Sequence, residues 1–173
     1  MNILSRLRLV KVFVFDMDGV LTDGTLVVEN DGQWLRKMSI RDGYALQLAV
    51  KSGFKIVVIS GSESAAVEKR LQQLGVMDVF MDVKDKAGFL KKYLSDKAIS
   101  PGDILFMGDD IPDYNCMIIA GLACCPSDAA VEIKQISSYI SPMRGGYGCV
   151  RDVIEKVLKL NNSWPLETYI PST

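Results

Sequence analysis

The feature that most constrains the fold of this chain is an apolar run that stops abruptly at two aspartates and a glycine. The run is Val12-Phe13-Val14-Phe15, and it continues as Asp16-Met17-Asp18-Gly19. A short apolar run bounded by turn residues is typical of a strand buried on both faces of a parallel sheet. Such a strand brings Asp16 to its carboxyl end, where open α/β sheets bind their ligands. We therefore expect the functional site at this point of the chain.

The two aspartates favour phosphate chemistry with a bound cation. Asp16 and Asp18 are two residues apart, and carboxylates this close repel unless a cation or a shared proton compensates them. Hard oxygen ligands suit Mg²⁺, and a carboxylate beside a metal can attack phosphorus as a nucleophile. The plainer alternative is a strand followed by a turn, since Asp-Gly is a strong turn dipeptide.

Downstream of this point, apolar runs alternate with segments of helical pattern. We predict strands over 54–61, 79–81, 104–110, 122–124 and 139–140, and helices over 44–52, 64–74, 87–94, 114–120, 129–136 and 150–160. This alternation predicts an α/β fold, a Rossmann-like doubly wound parallel sheet with helices on both faces. The length of 173 residues fits a single domain over 1–173.

Two segments depart from the alternation. Residues 24–38 read as a β-hairpin around the turn Asn30-Asp31-Gly32. This hairpin is too small to be a cap domain, so the site is either open or closed by another subunit. The C-terminal tail, 161–173, contains Pro165 and Pro171 and is expected to be irregular or docked on a neighbour.

Composition excludes several functional classes. The net charge of −1 gives no electrostatic case for binding nucleic acid or an anionic membrane. No apolar run approaches the roughly 18 residues of a membrane helix, and Met1 to Val10 lack a signal-peptide pattern, so we expect a cytoplasmic protein. The absence of histidine removes histidine bases and ligands. The four cysteines show no CxxC spacing and are expected to be reduced core residues.

Polar residues follow the other predicted strands as well. Because the carboxyl ends of parallel strands meet at one rim, these side chains should converge. Carboxylates could hold Mg²⁺, while a hydroxyl and an ammonium could hold phosphate oxygens, which is what phosphoryl transfer needs. Taken singly, each has a plainer explanation, such as a solvated lysine or an acidic helix N-terminus. The converging set is Asp16, Asp18, Ser60, Lys86, Asp109 and Asp110.

Four motifs in order resemble those of the haloacid dehalogenase-like (HAD) phosphatases. They are DMDGVLTDG from Asp16, Ser60-Gly61, Lys86, and GDDxxD over 108–113. The resemblance implies that Asp16 is the nucleophile and Asp18 the general acid and base. It also implies that Ser60 and Gly61 bind phosphate and that Lys86 stabilises the phosphoryl charge.

The same resemblance implies a magnesium site. Its ligands would be the side chains of Asp16 and Asp109 and the backbone carbonyl of Asp18. Asp110 and Asp113 would support these ligands from behind, as outer-shell groups do in metal sites.

About residues 10–160 are similar to the capless branch of this family, which contains the 3-deoxy-D-manno-octulosonate 8-phosphate (KDO 8-phosphate) phosphatases and their sialic-acid-type relatives. The similar segments are FDMDGVLTDG, MSIRDGYALQLAVKSG and RGGYGCVRDV. The resemblance implies Mg²⁺-dependent hydrolysis of an acidic sugar phosphate, first of all KDO 8-phosphate, in lipopolysaccharide biosynthesis. It also implies a homotetramer in which the hairpins form a central barrel and the sites lie at subunit interfaces.

The branch further suggests which residues contact substrate. Arg41 would pair with the substrate carboxylate, and the less favoured alternative is a surface arginine near a helix start. Arg70 would reach substrate from a neighbouring subunit, or else pair with Glu68. The remaining implied contacts are Asp42 and the segment Arg144-Gly145-Gly146, which would reach into an adjacent site.

Two departures leave the substrate open. Gln47 and Ser62 stand where octulosonate phosphatases of the branch usually carry arginines, which keeps a nine-carbon acid sugar 9-phosphate as the alternative substrate. Outside this enzyme class, a CheY-like phospho-receiver also surrounds one aspartate with acids, a hydroxyl and a lysine. A third alternative is a module that serves only for tetramerisation. The combined nucleophile and acid in Asp16-x-Asp18-Gly argue against the receiver, and the intact catalytic set argues against the tetramerising module.

Overall fold

The structure is a computed structural model that describes residues 2–165. In chain order the strands are β1 (Val12–Phe15), β2 (Val27–Val28), β3 (Trp34–Leu35), β4 (Lys55–Ile59), β5 (Asp78–Phe80), β6 (Ile104–Met107), β7 (Leu122–Cys125) and β8 (Tyr139–Ile140). The α-helices are α1 (Ile3–Leu9), α2 (Ile40–Lys51), α3 (Ala65–Gln73), α4 (Lys86–Asp96), α5 (Tyr114–Ile119), α6 (Val131–Ile136) and α7 (Cys149–Leu160). The predicted tail begins within this range, and its residues 166–173 lie outside the described part.

Within the described residues, six strands form one parallel sheet in the order β5-β4-β1-β6-β7-β8. The first strand, β1, lies in the middle, so the chain winds outward from it in both directions. This arrangement confirms the predicted doubly wound α/β sheet. The carboxyl ends of β1, β4 and β6 are neighbours, which is where such sheets place their ligands.

Both faces of the sheet are buried, as an uninterrupted apolar strand requires. Phe13 and Phe15 pack toward α1, α2, α3 and α7, while Val12 and Val14 pack toward α4, α5 and α6. All four β1 residues are buried. The cysteines are free and buried, as predicted. Among the described helices, none has the length and apolar character needed to cross a bilayer.

The structure moves several predicted boundaries. Helix α2 begins at Ile40, four residues before the predicted start at Tyr44, because the Ser39 side chain accepts a hydrogen bond from the Asp42 N–H and caps the helix. Helix α1 was not predicted because it presents no continuous apolar face to the core. Leu7 is its buried residue, and one buried position gives no helical periodicity. Asn2 caps it by accepting a hydrogen bond from the Ser5 N–H at 2.8 Å.

The predicted hairpin is confirmed as the antiparallel pair β2–β3, with Val27 opposite Leu35. An isolated bridge between Thr22 and Met38 closes its base. The strands are short and exposed, and Trp34 is 56% exposed. Because Thr22 belongs to the loop that follows β1, the bridge to Met38 places the base of the hairpin at this loop.

Candidate active site

The ends of the central strands enclose a cavity of about 320 Å³. All of the residues predicted for catalysis, metal binding and phosphate binding line it. They come from the loop after β1, the loop after β4, the start of α4 and the segment after β6. The lining comprises Asp16, Asp18, Gly24, Ser60, Gly61, Ser62, Lys86, Asp109, Asp110, Pro112 and Asp113.

At the base of the cavity, one lysine joins two buried carboxylates. The Lys86 Nζ lies 2.6 Å from Asp16 Oδ1 and 2.8 Å from Asp113 Oδ1, and all three side chains are buried. Lys86 is the first residue of α4, which Asp85 caps by accepting a hydrogen bond from the Gly88 N–H at 2.9 Å. The helix start thus fixes the lysine beside the end of β1.

Burial and excess negative charge dominate the electrostatics of this cluster. Burial and the nearby Asp113 carboxylate raise the pKa of Asp16, against the lowering effect of Lys86. Burial, with the carboxylates of Asp113 and Asp110, raises the pKa of Asp109 to about 7. The two carboxylates raise the pKa of Lys86 despite its burial, so the lysine stays charged. One ammonium is too little positive charge for the carboxylates around it.

Asp109 is placed by two glycines. A Cβ at Gly19 would lie 2.0 Å from Asp109 Oδ2, and φ at Gly19 is +90°, so only glycine allows this carboxylate to sit against the loop. A Cβ at Gly108 would lie 2.4 Å from the Asp113 side chain. Asp113 Oδ2 in turn accepts a hydrogen bond from the Asp109 N–H at 3.1 Å.

This donor set fits a hard divalent cation. Carboxylate oxygens of Asp16, Asp109 and Asp113 lie within 4.8 Å of one another, and such oxygens are the ligands that Mg²⁺ prefers. Both Asp113 oxygens already accept hydrogen bonds, one from Lys86 and one from the Asp109 N–H. Asp16 and Asp109 are therefore the side chains best placed to hold the cation, with Asp113 holding them in place.

Asp18 stands at the mouth of the cavity in a separate polar cluster. Arg36 donates from Nε to Asp18 Oδ1 at 2.8 Å and from Nη2 to Oδ2 at 3.1 Å. The Ser62 hydroxyl donates to Oδ2 at 2.8 Å and the Thr22 hydroxyl to Oδ1 at 3.1 Å. Burial alone would raise the pKa of Asp18, but the hydrogen bonds from Arg36 and Ser62 lower it.

The loop after β4 forms the opposite wall. Ser60 is 1% exposed, and its hydroxyl oxygen accepts a hydrogen bond from the Ser62 N–H at 3.1 Å. Its backbone is tied to the neighbouring segment, since the Ser60 N–H donates to the Phe80 carbonyl at 2.9 Å and the Val83 N–H donates to the Ser60 carbonyl at 2.9 Å. The predicted phosphate-binding pair Ser60-Gly61 is thus rigidly presented to the cavity.

The predicted substrate-binding arginines lie outside this cavity. Arg41 is exposed at the start of α2 and lines a separate cavity of about 450 Å³ together with Gly146 and Tyr147. Arg70, on α3, lines a groove with Trp34 and Arg36. Contact of either arginine with substrate in an assembly stays a prediction.

Asp42 is buried and does not line the cavity that contains Asp16, so its contact with substrate stays a prediction. It is 2% exposed and accepts hydrogen bonds from the N–H groups of Gly148 at 3.2 Å and Arg151 at 2.7 Å. These donors belong to the start of α7, so the carboxylate caps that helix and links it to α2. Burial raises the pKa of Asp42 to about 6, against those hydrogen bonds.

The glycines of Arg144-Gly145-Gly146 make their close backbone approach within the chain. A Cβ at Gly145 would lie 1.9 Å from the Gly19 carbonyl oxygen, and the Gly146 N–H donates to the Val20 carbonyl at 2.9 Å. Asp128 holds the segment by accepting from the Gly145 N–H at 2.9 Å and from Arg144 Nε at 3.1 Å. The segment supports the loop after β1 in its own chain, and its contact with an adjacent site stays a prediction.

Sequence reasoning missed Arg36, Thr22 and Asp128. The sequence did contain a signal for Arg36. The predicted hairpin starts shortly after Asp18, so the end of its second strand, where Arg36 lies, must return close to Asp18. The pairs Val27–Leu35 and Thr22–Met38 place Arg36 at the base of the hairpin. The sequence contains no such signal for Asp128, because its contact with Gly145 forms only when two loops that are distant in sequence pack together.

The fold and the site together define a phosphatase with a buried carboxylate cluster at the end of the first strand of a doubly wound sheet. No protein-family model matches the chain. It is 29% identical over 157 residues to the 3-deoxy-D-manno-octulosonate 8-phosphate phosphatase KdsC of Salmonella typhi, covering 91% of this chain and 84% of that protein.

Solved structures of two relatives superimpose closely on the chain. One is the 3-deoxy-D-manno-octulosonate 8-phosphate phosphatase of Moraxella catarrhalis in complex with magnesium, phosphate and KDO, with a TM-score of 0.89, 30% identity and 92% coverage of each chain. The other is a probable YrbI family phosphatase of Pseudomonas syringae, with a TM-score of 0.90, 31% identity, and coverage of 92% of this chain and 91% of that one. The chain belongs to the capless HAD phosphatase family that includes the KDO 8-phosphate phosphatases.

Proposed function

We propose that this enzyme is a Mg²⁺-dependent phosphomonoesterase that hydrolyses KDO 8-phosphate to KDO and phosphate. The observation that carries the proposal is the buried Asp16–Lys86–Asp113 cluster with Asp109 beside it at the carboxyl end of the central strands. The substrate is suggested by the curated relatives, which are KDO 8-phosphate phosphatases, and by the Moraxella structure with its magnesium, phosphate and KDO.

The geometry supports a two-step reaction. Asp16 attacks phosphorus and forms an aspartyl-phosphate, while Lys86 and the Ser60 hydroxyl hold the phosphoryl oxygens. Asp18 gives a proton to the departing sugar oxygen and then takes one from the water that hydrolyses the intermediate. Mg²⁺ held by Asp16, Asp109 and the Asp18 carbonyl would neutralise phosphate charge and allow an anionic nucleophile to approach.

A nine-carbon acid sugar 9-phosphate is the second candidate substrate. The observation in its favour is Ser62, whose neutral hydroxyl is hydrogen-bonded to Asp18 at 2.8 Å. The branch's octulosonate enzymes usually have an arginine there, and Gln47 replaces a second one. The absence of these two cations weakens the case for KDO 8-phosphate as the substrate. It does not change the proposed phosphatase reaction.

We further propose a cytoplasmic homotetramer that serves lipopolysaccharide biosynthesis. The exposed apolar hairpin supports assembly, because Val28 is 68% and Trp34 56% exposed, and such patches mark interaction sites. Replacement of Val28 by Lys is expected to reduce the mass measured by light scattering, whereas Met77→Lys, at a similarly exposed methionine just before the edge strand β5, should leave it unchanged. A wild-type protein that is monomeric at micromolar concentration would refute the assembly.

The function is tested by phosphate release from a panel of substrates, with Mg²⁺ and with EDTA. The panel holds KDO 8-phosphate, two nonulosonate 9-phosphates and simple hexose phosphates. We expect Mg²⁺-dependent release with preference for the eight-carbon acid, and Asp16→Asn should abolish it while Asp96→Asn, at an exposed position, should not. Preference for a nine-carbon acid would select the second candidate. Absence of Mg²⁺-dependent release, or full activity of Asp16→Asn, would refute the proposed chemistry.

A further inference from the structure

Arg36 has an unusual environment for a residue of an exposed hairpin. Its neighbours Trp34 and Leu35 are 56% and 46% exposed, yet the Arg36 side chain is only 2% exposed. Ordering and burying an arginine costs side-chain entropy and desolvation. A contact that offsets this cost must be specific, and the guanidinium finds it in the Asp18 carboxylate.

The contact fixes the orientation of the Asp18 carboxyl group. Arg36 donates to both carboxylate oxygens, at 2.8 and 3.1 Å, which sets the plane of the carboxylate as well as its position. The Arg36 Nη2 also lies 3.3 Å from the Ser62 hydroxyl, which itself donates to Asp18 at 2.8 Å. The hairpin and the loop after β4 therefore hold one carboxyl group between them.

We propose that Arg36 is a positioning residue for Asp18, delivered by the hairpin and supported by Ser62. The inference rests on the proposed function, in which Asp18 protonates the leaving oxygen. Proton transfer requires the donor within hydrogen-bond reach of that oxygen, and a misplacement of about 1 Å can cost on the order of 10²-fold in rate. Asp18 is one-third exposed, so without Arg36 its side chain would sample other rotamers toward solvent. The hydrogen bonds from Arg36 and Ser62 also lower the pKa of Asp18 and favour its ionised form, so the loss expected on removing Arg36 is the cost of misplacing the carboxyl group after the gain in its proton affinity.

This role predicts that the need for Arg36 depends on the leaving group. A sugar alkoxide is a poor leaving group and needs a proton from Asp18, whereas p-nitrophenolate leaves without one. A residue that bound phosphate or only held the fold together would affect both substrates alike. The ratio kcat/KM reports only the steps up to the first irreversible one. The later hydrolysis of the aspartyl-phosphate therefore does not affect it.

The experiment compares Arg36→Ala with Lys37→Ala, which removes the neighbouring exposed cation of the same hairpin. The substrates are KDO 8-phosphate and p-nitrophenyl phosphate. We expect Arg36→Ala to lower kcat/KM for the sugar phosphate on the order of 10²-fold and that for p-nitrophenyl phosphate by less than about threefold. Lys37→Ala should change neither. Equal losses on both substrates, or an unchanged or raised value for the sugar phosphate, would overturn the inference.

Two further variants separate positioning from folding. Arg36→Lys keeps the charge but lacks the two-pronged donor geometry, so an intermediate loss confined to the sugar phosphate is expected. In an Asp18→Asn background, Arg36→Ala should cost little more, because the residue it positions is gone; a full additional loss would contradict the coupling. A wild-type enzyme that releases phosphate from neither substrate refutes the proposed function itself, which distinguishes that failure from this one.

Discussion

The contact between the segment that carries Gly145 and the loop after β1 can be tested by one methyl group. In Gly145→Ala the new Cβ would lie 1.9 Å from the Gly19 carbonyl oxygen, whereas real Cβ atoms essentially never come under 3.0 Å. One of the two backbones must therefore move by about 1 Å or more, and a shift of about 1 Å in an active site costs on the order of 10²-fold in rate. Gly19 also packs against Asp109, so the shift reaches the carboxylate proposed to bind the metal as well.

We expect Gly145→Ala to lower kcat on the order of 10²-fold and to destabilise the fold by about 1–3 kcal/mol through overpacking. The assay is steady-state kinetics on the best substrate of the panel, together with thermal unfolding. Gly102→Ala is the matched control, because its Cβ would meet the nearest atom, the Ser100 hydroxyl, at an ordinary 3.6 Å. A Gly145→Ala enzyme with wild-type kcat would refute the idea that this segment positions the catalytic loop.

Three other predictions concern charge. Lys86→Met is expected to inactivate the enzyme and to lower stability by about 3–5 kcal/mol, since it leaves buried carboxylates without their cation; retained activity in a phosphate-release assay would contradict this role. Because the pKa of Asp42 is raised to about 6 in the folded protein from an ordinary 3.8, the folded state holds its proton more tightly, and the free energy of unfolding should fall by about 2 kcal/mol as pH rises from 4 to 6. Asp42→Asn should remove this part of the pH dependence in a denaturant titration, and superimposable slopes for the two proteins would refute it. Mg²⁺ at about 100 times its dissociation constant should stabilise the wild type by about 2.7 kcal/mol and Asp109→Asn by much less, as measured by thermal unfolding; equal stabilisation would show that the ion binds elsewhere.

The central part of the fold could be predicted because its signals are local. The apolar run of β1 and the alternation of strands and helices determine a doubly wound sheet, and the strand order then brings Asp16, Ser60 and Asp109 together. Helix α2 began earlier than predicted because the Ser39 cap was not recognised as a start signal. Hydrophobic periodicity alone placed the start at Tyr44.

The contacts between loops could not be predicted in the same way. The position of Asp42 depends on how α2 and the start of α7 pack, and its carboxylate is satisfied by N–H groups more than 100 residues away. The same holds for Asp128 and Gly145, whose meeting requires two loops to approach after the sheet has formed. Resemblance indicated that these segments matter, and it predicts contacts of Asp42 with substrate and of the glycine segment with an adjacent site. Within this chain Asp42 caps the start of α7 and the glycine segment supports the loop after β1, which the sequence did not predict.

The central position of β1 in the sheet determines in which order parts of the protein unfold. Its amides are hydrogen-bonded between β4 and β6 and buried on both faces, so they should exchange with solvent hydrogen only when the whole domain unfolds. The hairpin consists of two-residue strands with exposed side chains and should exchange through local opening at much lower free energy. The proposed nucleophile Asp16 is thus attached to the last part of the molecule to unfold, while Arg36, which donates hydrogen bonds to Asp18, is carried by one of the first.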